Sequence, residues 1–423
     1  MSATDRIFAK CAWRLVPFIL ILRLVHVLDR SNVGFAALTM NRDLGFSPMV
    51  YGFGAGIFFV GYSLFEVPAN VVLERVGARR WTFVILALWG TVSAACAFAQ
   101  GPISFYVLRF LLGVAEGGFA PGMFFYLTLW FPHAYRARLI AMFMAAGPFS
   151  FILGGPLSGL ILGMEGVGGM HGWQWLFLIE GVPATILAFA ALKALPDRPS
   201  QASWLSPEEK HAIAARLSAE DATKQHALWP ALRDMRVLAL GLVGIGIAFA
   251  DYGLSLWLPQ IVKSLGFSNL ATGFVVALPF MAAMVTMVLW GRSSDRRGER
   301  VWHVALPVLL AACGLAAASF APSDLLVLIA LSVGVVGVFA AWGPFYSLPF
   351  SFLGGRAAAG GIALVLAITN IGGFLGSTAV GALTQATGNY DAGMIALALG
   401  LVLTAFIVLV LGRAMISRRL QFS

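Results

Sequence analysis

Twelve stretches of about 20 or more apolar residues recur along this chain, and that recurrence leaves very few folds open. They fall near 15–38, 48–72, 81–99, 103–131, 138–162, 173–195, 236–262, 270–292, 301–320, 324–348, 357–383 and 390–412. Hydrocarbon offers no water to backbone N–H and C=O groups, so each stretch must close its own hydrogen bonds as a helix. The expected fold is therefore all-α and integral to a membrane. Composition agrees, with 60% hydrophobic and only 11% charged residues against the roughly 25% charged of soluble domains.

The charged residues fix a topology. Of 28 Lys and Arg, Arg42 and Lys263 lie on one side and Arg23, Arg30 and Arg109 lie within spans, which leaves 23 on the side of the termini. By the positive-inside rule both termini are expected to be cytoplasmic, in a cell inner (plasma) membrane. The net charge of +9 is explained by these short basic loops, so nucleic acid is not expected as a partner. Arg6, Lys10 and Arg14 precede an apolar segment too long for a cleaved signal core, and no small-residue cleavage site follows, so span one is expected to remain. Cys11, Cys96 and Cys313 are far apart in apolar surroundings and read as small hydrophobes.

Residues 1–195 and 236–423 each hold six spans, and 196–235 is the only long polar segment between them. In that linker Ser206-Pro207-Glu208-Glu209 reads as a capping box with proline at the first helical position, which predicts a short amphipathic helix to about Ala219. The segment is expected to act as a tether. The two halves repeat a turn. Glu74-Arg75-Val76-Gly77-Ala78-Arg79-Arg80 follows span two, and Gly291-Arg292-Ser293-Ser294-Asp295-Arg296-Arg297-Gly298-Glu299-Arg300 follows span eight. Such a repeat points to a parallel duplication and to two pseudo-symmetric six-helix bundles.

Chemistry concentrates in two spans. Span one carries Arg23, His26, Asp29, Arg30 and Asn32 at membrane depth, where a charged group costs about 3 kcal/mol on insertion scales. At 100° per residue Arg23, His26 and Arg30 share a face with Asp29 beside them. Span four adds Arg109 and Glu116, seven residues apart and about 10 Å along the axis. An arginine stays charged and grips carboxylates with two parallel bonds, whereas an acid can titrate. Arg30, Arg109 and His26 are thus expected to bind an anion, and Asp29 and Glu116 to exchange protons. A structural pairing of Arg109 with Asp29 or of Arg30 with Glu116 is compatible with that role. Glu66 and Glu180 read as packing or gating acids, and Asp251 as a titrating group or a cap near Gly253. Asn370 is the strong polar group of span eleven and is expected to serve the same site from the second half.

The turn after span eight, its relative after span two and the twelve-span plan resemble the major facilitator superfamily. The first half is similar to its anion:cation symporter family through Leu28-Asp29-Arg30-Ser31-Asn32-Val33-Gly34, Gly61-Tyr62 with Phe65-Glu66-Val67-Pro68, Arg109-Phe110-Leu111-Leu112-Gly113-Val114-Ala115-Glu116, and Trp173-Gln174-Trp175-Leu176-Phe177 with Glu180-Gly181. With the Gly163-Met164-Glu165-Gly166 loop, the chain most resembles bacterial tartrate-type permeases. The resemblance implies a substrate contact at Tyr62; alternating access and a monomer are expected. Asn70 in place of a turn glycine, and the charged Arg23 and His26, depart from the pattern.

No histidine pair has metal spacing, and neither a phosphate loop nor a nucleophile beside a base is present, so an enzyme, a catalytic residue and a resident cofactor are not expected. The expectation is proton-coupled uptake of a small hydroxylated carboxylate or dicarboxylate such as tartrate, with the proton as coupling ion. Glu74, Arg79, Asp295 and Arg296 would lock the cytoplasmic face. Aromatic or sugar acids as substrates, and a non-transporting sensor of such acids, are the alternatives.

Overall fold

The computed structural model describes residues 3–221, 235–349 and 355–421, and the described residues are helical throughout their membrane-length segments. Twelve of these segments are long and apolar enough to cross a bilayer. The first six are Ala3–Asp43, Pro48–Val76, Ala78–Ala95, the broken pair Pro102–Glu116 and Phe119–Trp130, His133–Ile161, and Gly172–Ala194. The second six are the broken pair Met235–Ser255 and Leu258–Ser264, then Asn269–Arg297, Val301–Ser319, Asp324–Ser347, Gly355–Thr387 and Asp391–Gln421. The sequence-predicted spans all appear, most ends within two residues of the predicted bounds, with spans one, two, five, eight, eleven and twelve running a turn or more further at one end or both because polar and charged residues continue the helices into the interfaces.

Two of the spans are interrupted, each within a turn of a buried acid. Span four breaks at Gly117 and Gly118, directly after Glu116. Span seven breaks after Ser255, four residues past Asp251. Glycine also sets the distance between spans two and four, because a side chain at Gly113 would strike the Phe58 carbonyl and one at Gly61 the Phe110 carbonyl. Backbones that approach this closely bring the Phe58 ring against Arg109.

Within the linker, the capping box forms as read: Ser206 N–H donates to Glu209 Oε2 at 2.9 Å, Glu209 N–H to Ser206 Oγ at 3.2 Å, and a helix runs over Pro207–Asp221. Residues 222–234 of the linker lie outside the described residues. The remainder is docked on the first bundle rather than loose. Trp204 stacks on Trp130 at 5.7 Å with Arg14 over its ring, Lys10 Nζ pairs with Glu209 at 2.8 Å, and Tyr126 Oη donates to the Pro196 carbonyl.

The halves meet through spans two and eleven, five and eight, and one and seven. Ser377 Oγ donates to the Gly52 carbonyl at 2.9 Å, Tyr51 Oη to the Leu256 carbonyl at 2.8 Å, Asn41 to Gln260 at 3.1 Å and Ser47 to Gln385 at 2.8 Å. Gly155 and Gly273 oppose one another so closely that a Cβ on either would collide with the other's carbonyl. All these contacts lie toward the face away from the termini. Every hydrogen bond between the halves for which both partners are described falls on that face or at mid-depth. The space between the bundles is therefore closed on the far face.

Candidate functional site

Span one delivers its charges to the centre of the first bundle and to the seam between the halves. Arg23 Nη1 lies 2.9 Å from His26 Nδ1. Arginine has no acceptor, so Nδ1 must accept, and a neutral His26 then carries its proton on Nε2. That Nε2 stands 3.2 Å from Glu116 Oε2, off hydrogen-bond geometry. Glu116 Oε2 in turn lies 3.4 Å from Arg30 Nη2, and Arg30 Nη1 donates across the seam to Tyr252 Oη at 3.1 Å. Arg23, His26, Glu116, Arg30 and Tyr252 thus form one continuous polar chain at mid-membrane. Burying such groups is costly unless they are paired, which is why each link matters.

Rings surround the Arg30 guanidinium. Its Cζ lies 4.9 Å from the Phe58 ring centre, 4.7 Å from Tyr62, 5.9 Å from Phe59 and 6.0 Å from Tyr252. Arg109 is also over Phe58, at 5.0 Å, and is 0% exposed. None of its three side-chain nitrogens has a hydrogen-bond partner. A planar fork of five donors, desolvated and unmatched, is a preformed demand for a carboxylate.

The acids differ in their partners. Glu116 is paired with Arg30 through Oε2, while its Oε1 has no hydrogen bond. Asp29 is satisfied by neutral donors instead: Asn32 at 3.1 Å, Trp89 Nε1 at 2.6 Å and the Ser93 hydroxyl. Of the two structural pairings the sequence leaves open, Arg30 with Glu116 is present; among the described residues, Arg109 has no carboxylate within 4 Å. His26 is fully buried between Phe119, stacked at 4.8 Å, and Trp89, edge-on at 5.2 Å, so it sits behind Glu116 rather than facing the seam.

The second half contributes less charge. Asn370 Nδ2 donates to Glu66 Oε2 at 3.0 Å, a bond between spans eleven and two that places Glu66, read from the sequence as a packing or gating acid, beside a candidate binding residue. Asp251 accepts from Ser255 Oγ at 3.1 Å and Trp342 Nε1 at 3.0 Å. Glu180 is held by Ser158 at 3.0 Å, away from the seam. The four gating candidates make no bond across the halves among the described residues. Asp295 pairs with Arg300 at 2.7 Å in its own turn, the Arg79 N–H donates to Asp197 Oδ1 at 2.7 Å, and Glu74 and Arg296 are exposed. On the far face Asp43, Glu165 and His171 converge, although their spacing in sequence gives no sign of it. There the Gly172 N–H and His171 hold the Glu165 carboxyl below its ordinary range.

Twelve apolar helices in two bundles, with an arginine–carboxylate cluster buried at the seam, define a multi-pass membrane transporter. The chain belongs to the Major Facilitator Superfamily, whose family pattern it matches over residues 19–377. It is 50% identical over 412 residues to an Agrobacterium vitis protein named "Putative tartrate transporter", covering 97% of this chain and 92% of that one. It is 40% identical over 421 residues to "Putative metabolite transport protein NicT" of Pseudomonas putida, covering 98% and 96%. In fold it is similar to the crystal structure of a bacterial homolog of the human lysosomal transporter Spinster in an inward-facing, occupied conformation. That likeness has a TM-score of 0.79 at 16% identity and covers 94% of this chain and 96% of the other.

Proposed function

We propose that the protein takes up a small hydroxylated dicarboxylate such as tartrate together with protons. The observation that carries this reading is Arg109, fully buried with no hydrogen-bond partner, beside an Arg30 already shared with Glu116. Two guanidinium groups within 5.0 Å of one phenyl ring suit the two ends of a short diacid. Asn370 and Tyr62 would complete the binding groups, and the name of the Agrobacterium vitis relative supports tartrate among diacids.

Coupling follows from competition for the same positive charge. While Glu116 is ionised it holds Arg30; a proton on Glu116 releases Arg30 to the substrate, and the protonated His26 Nε2, 3.2 Å away, faces the same carboxyl oxygen as a fixed neighbour. Asp29, satisfied by Trp89, Ser93 and Asn32, would act as a second proton carrier or hold span three against span one. With the termini in the cytoplasm, the closed far face is the outer one, and the cytoplasmic lock of Glu74, Arg79, Asp295 and Arg296 is disengaged. Closing that lock would create the outward-open state.

Aromatic monoacids are the second reading, favoured by the four rings around Arg30. Purified protein in proteoliposomes, given labelled tartrate, malate, gluconate and benzoate under an inward proton gradient, separates the two. Tartrate accumulation abolished by a protonophore is the expected result. Benzoate alone would establish the second reading, and no transport of any acid would contradict both.

A further inference from the structure

The duplication places Asp251-Tyr252 opposite Asp29-Arg30. Arg30 and Tyr252, 222 residues apart, touch directly across the seam, and the repeated turns are offset by a nearly equal interval. Asp251 is therefore the second half's positional counterpart of Asp29. It is 9% exposed, and among the described residues no cation lies within 4 Å of it. Its donors are two, Ser255 Oγ and Trp342 Nε1, against three on Asp29. An ionised carboxylate has about four lone-pair sites to satisfy when removed from water. Two donors leave that set half filled.

The neighbours of Asp251 border the seam rather than lipid. Tyr252, the next residue, reaches Arg30 of the other half. Trp342 and Tyr346, stacked at 5.3 Å and 16°, are both partly exposed. Among the described residues, the charged or titratable groups facing Asp251 are Arg30 from span one, Tyr346 from span ten and Tyr252 on its own span. Spans eleven and twelve also pack on span seven, yet 364–387 carries no charged residue and span twelve carries none between Asp391 and Arg413. Glu180 is buried as well, but its partner Ser158 and its place between spans five and six keep it inside the first bundle.

We propose that Asp251 is a further proton-carrying carboxyl of the transport cycle, loaded from the seam while the far face is open and emptied while it is closed. A hydronium ion in the seam gives its proton to an Asp251 carboxylate oxygen and leaves as water; the reverse transfer follows when the seam opens to the other side. The proton completes the half-filled donor set, and Trp342 and Ser255 keep the group oriented. When the halves rock, the ionised carboxylate is free to meet Arg30, which Tyr252 already holds one residue away. Asp251 then answers in the second half to the events at Glu116 in the first.

This inference rests on the proton-coupled reading above, and the test keeps the two apart. Proton and tartrate fluxes are measured together in proteoliposomes, with an entrapped pH dye and labelled tartrate, for wild type and Asp251→Asn. The expected result is a wild-type proton-to-tartrate ratio that falls by one in the variant, while tartrate exchange across the membrane stays within about threefold of wild type, as for loss of a proton site that does not bind substrate. Wild type that moves tartrate without protons would sink the coupled reading itself. Coupled wild type with an unchanged ratio in Asp251→Asn would overturn only this proposal. Should the variant fold poorly, wild-type protein treated with dicyclohexylcarbodiimide, which attacks protonated carboxyls, decides by mass spectrometry. An Asp251 adduct that grows as pH falls supports the proposal, and its absence across the pH range rejects it.

Discussion

The two halves of this transporter share a plan and divide its chemistry unequally. At corresponding depths span one places Asp29 and Arg30, and span seven places Asp251 and Tyr252. The first half builds a charged chain from Arg23 through His26 and Glu116 to Arg30, and keeps Arg109 in reserve. The second half answers with Tyr252, Trp342, Asn370 and one acid held by neutral donors. A duplicated fold thus need not duplicate its site. One bundle can carry binding charge while the other supplies aromatic walls and moves, and coupling then depends on the few bonds that join them.

The sharpest way to break this division is to weaken the cationic half. In Arg109→Lys a point charge replaces the planar fork inside a desolvated pocket, so calorimetry should record a loss of diacid affinity of roughly 30-fold or more, the range of about 2–5 kcal/mol for a truncated buried charge pair. Near-normal affinity would move the binding charge away from Arg109. Next in size is a change at the far face. Gly155→Leu drives a side chain into the Gly273 carbonyl, and overpacking of about 1–3 kcal/mol should shift the balance toward opening of that face by roughly tenfold. Cysteine labelling at far-face positions would register it, and unchanged labelling would dissociate these glycines from closure. An effect no larger than that is expected on the second half's side of the seam. Tyr252→Phe removes one hydrogen bond to a charged group, about 1.5 kcal/mol, and should lower affinity roughly tenfold without altering the proton ratio.

Much of this is legible in the sequence. Hydropathy sets the twelve spans because a hydrocarbon layer accepts little besides apolar helices, and the Ser206 to Glu209 capping box is visible because its two bonds join residues three apart in the sequence. The charged cluster was legible for the same reason of cost: Arg30, Arg109 and Glu116 at membrane depth demand partners. Which partners they find was not. Periodicity gives the face of a helix but not the rotation of its neighbour, so Trp89 and Ser93 on Asp29, Trp342 on Asp251, and Glu66 on Asn370 could not be read. Arg109 without a partner is likewise a property of the assembled interior. The docked linker escaped notice because Trp204 and Leu205 lie in a segment whose overall composition is polar, and two large apolar side chains suffice to anchor it.

The central claim is that a proton on Glu116 frees Arg30 for the substrate. It is tested most directly in Glu116→Gln, which keeps the shape of the protonated acid and cannot release a proton. Tartrate counterflow and proton-driven accumulation are measured side by side in the same proteoliposomes. The account predicts counterflow close to wild type with a flat pH profile, and no accumulation against a gradient. Accumulation at the wild-type level with the wild-type pH profile would contradict it.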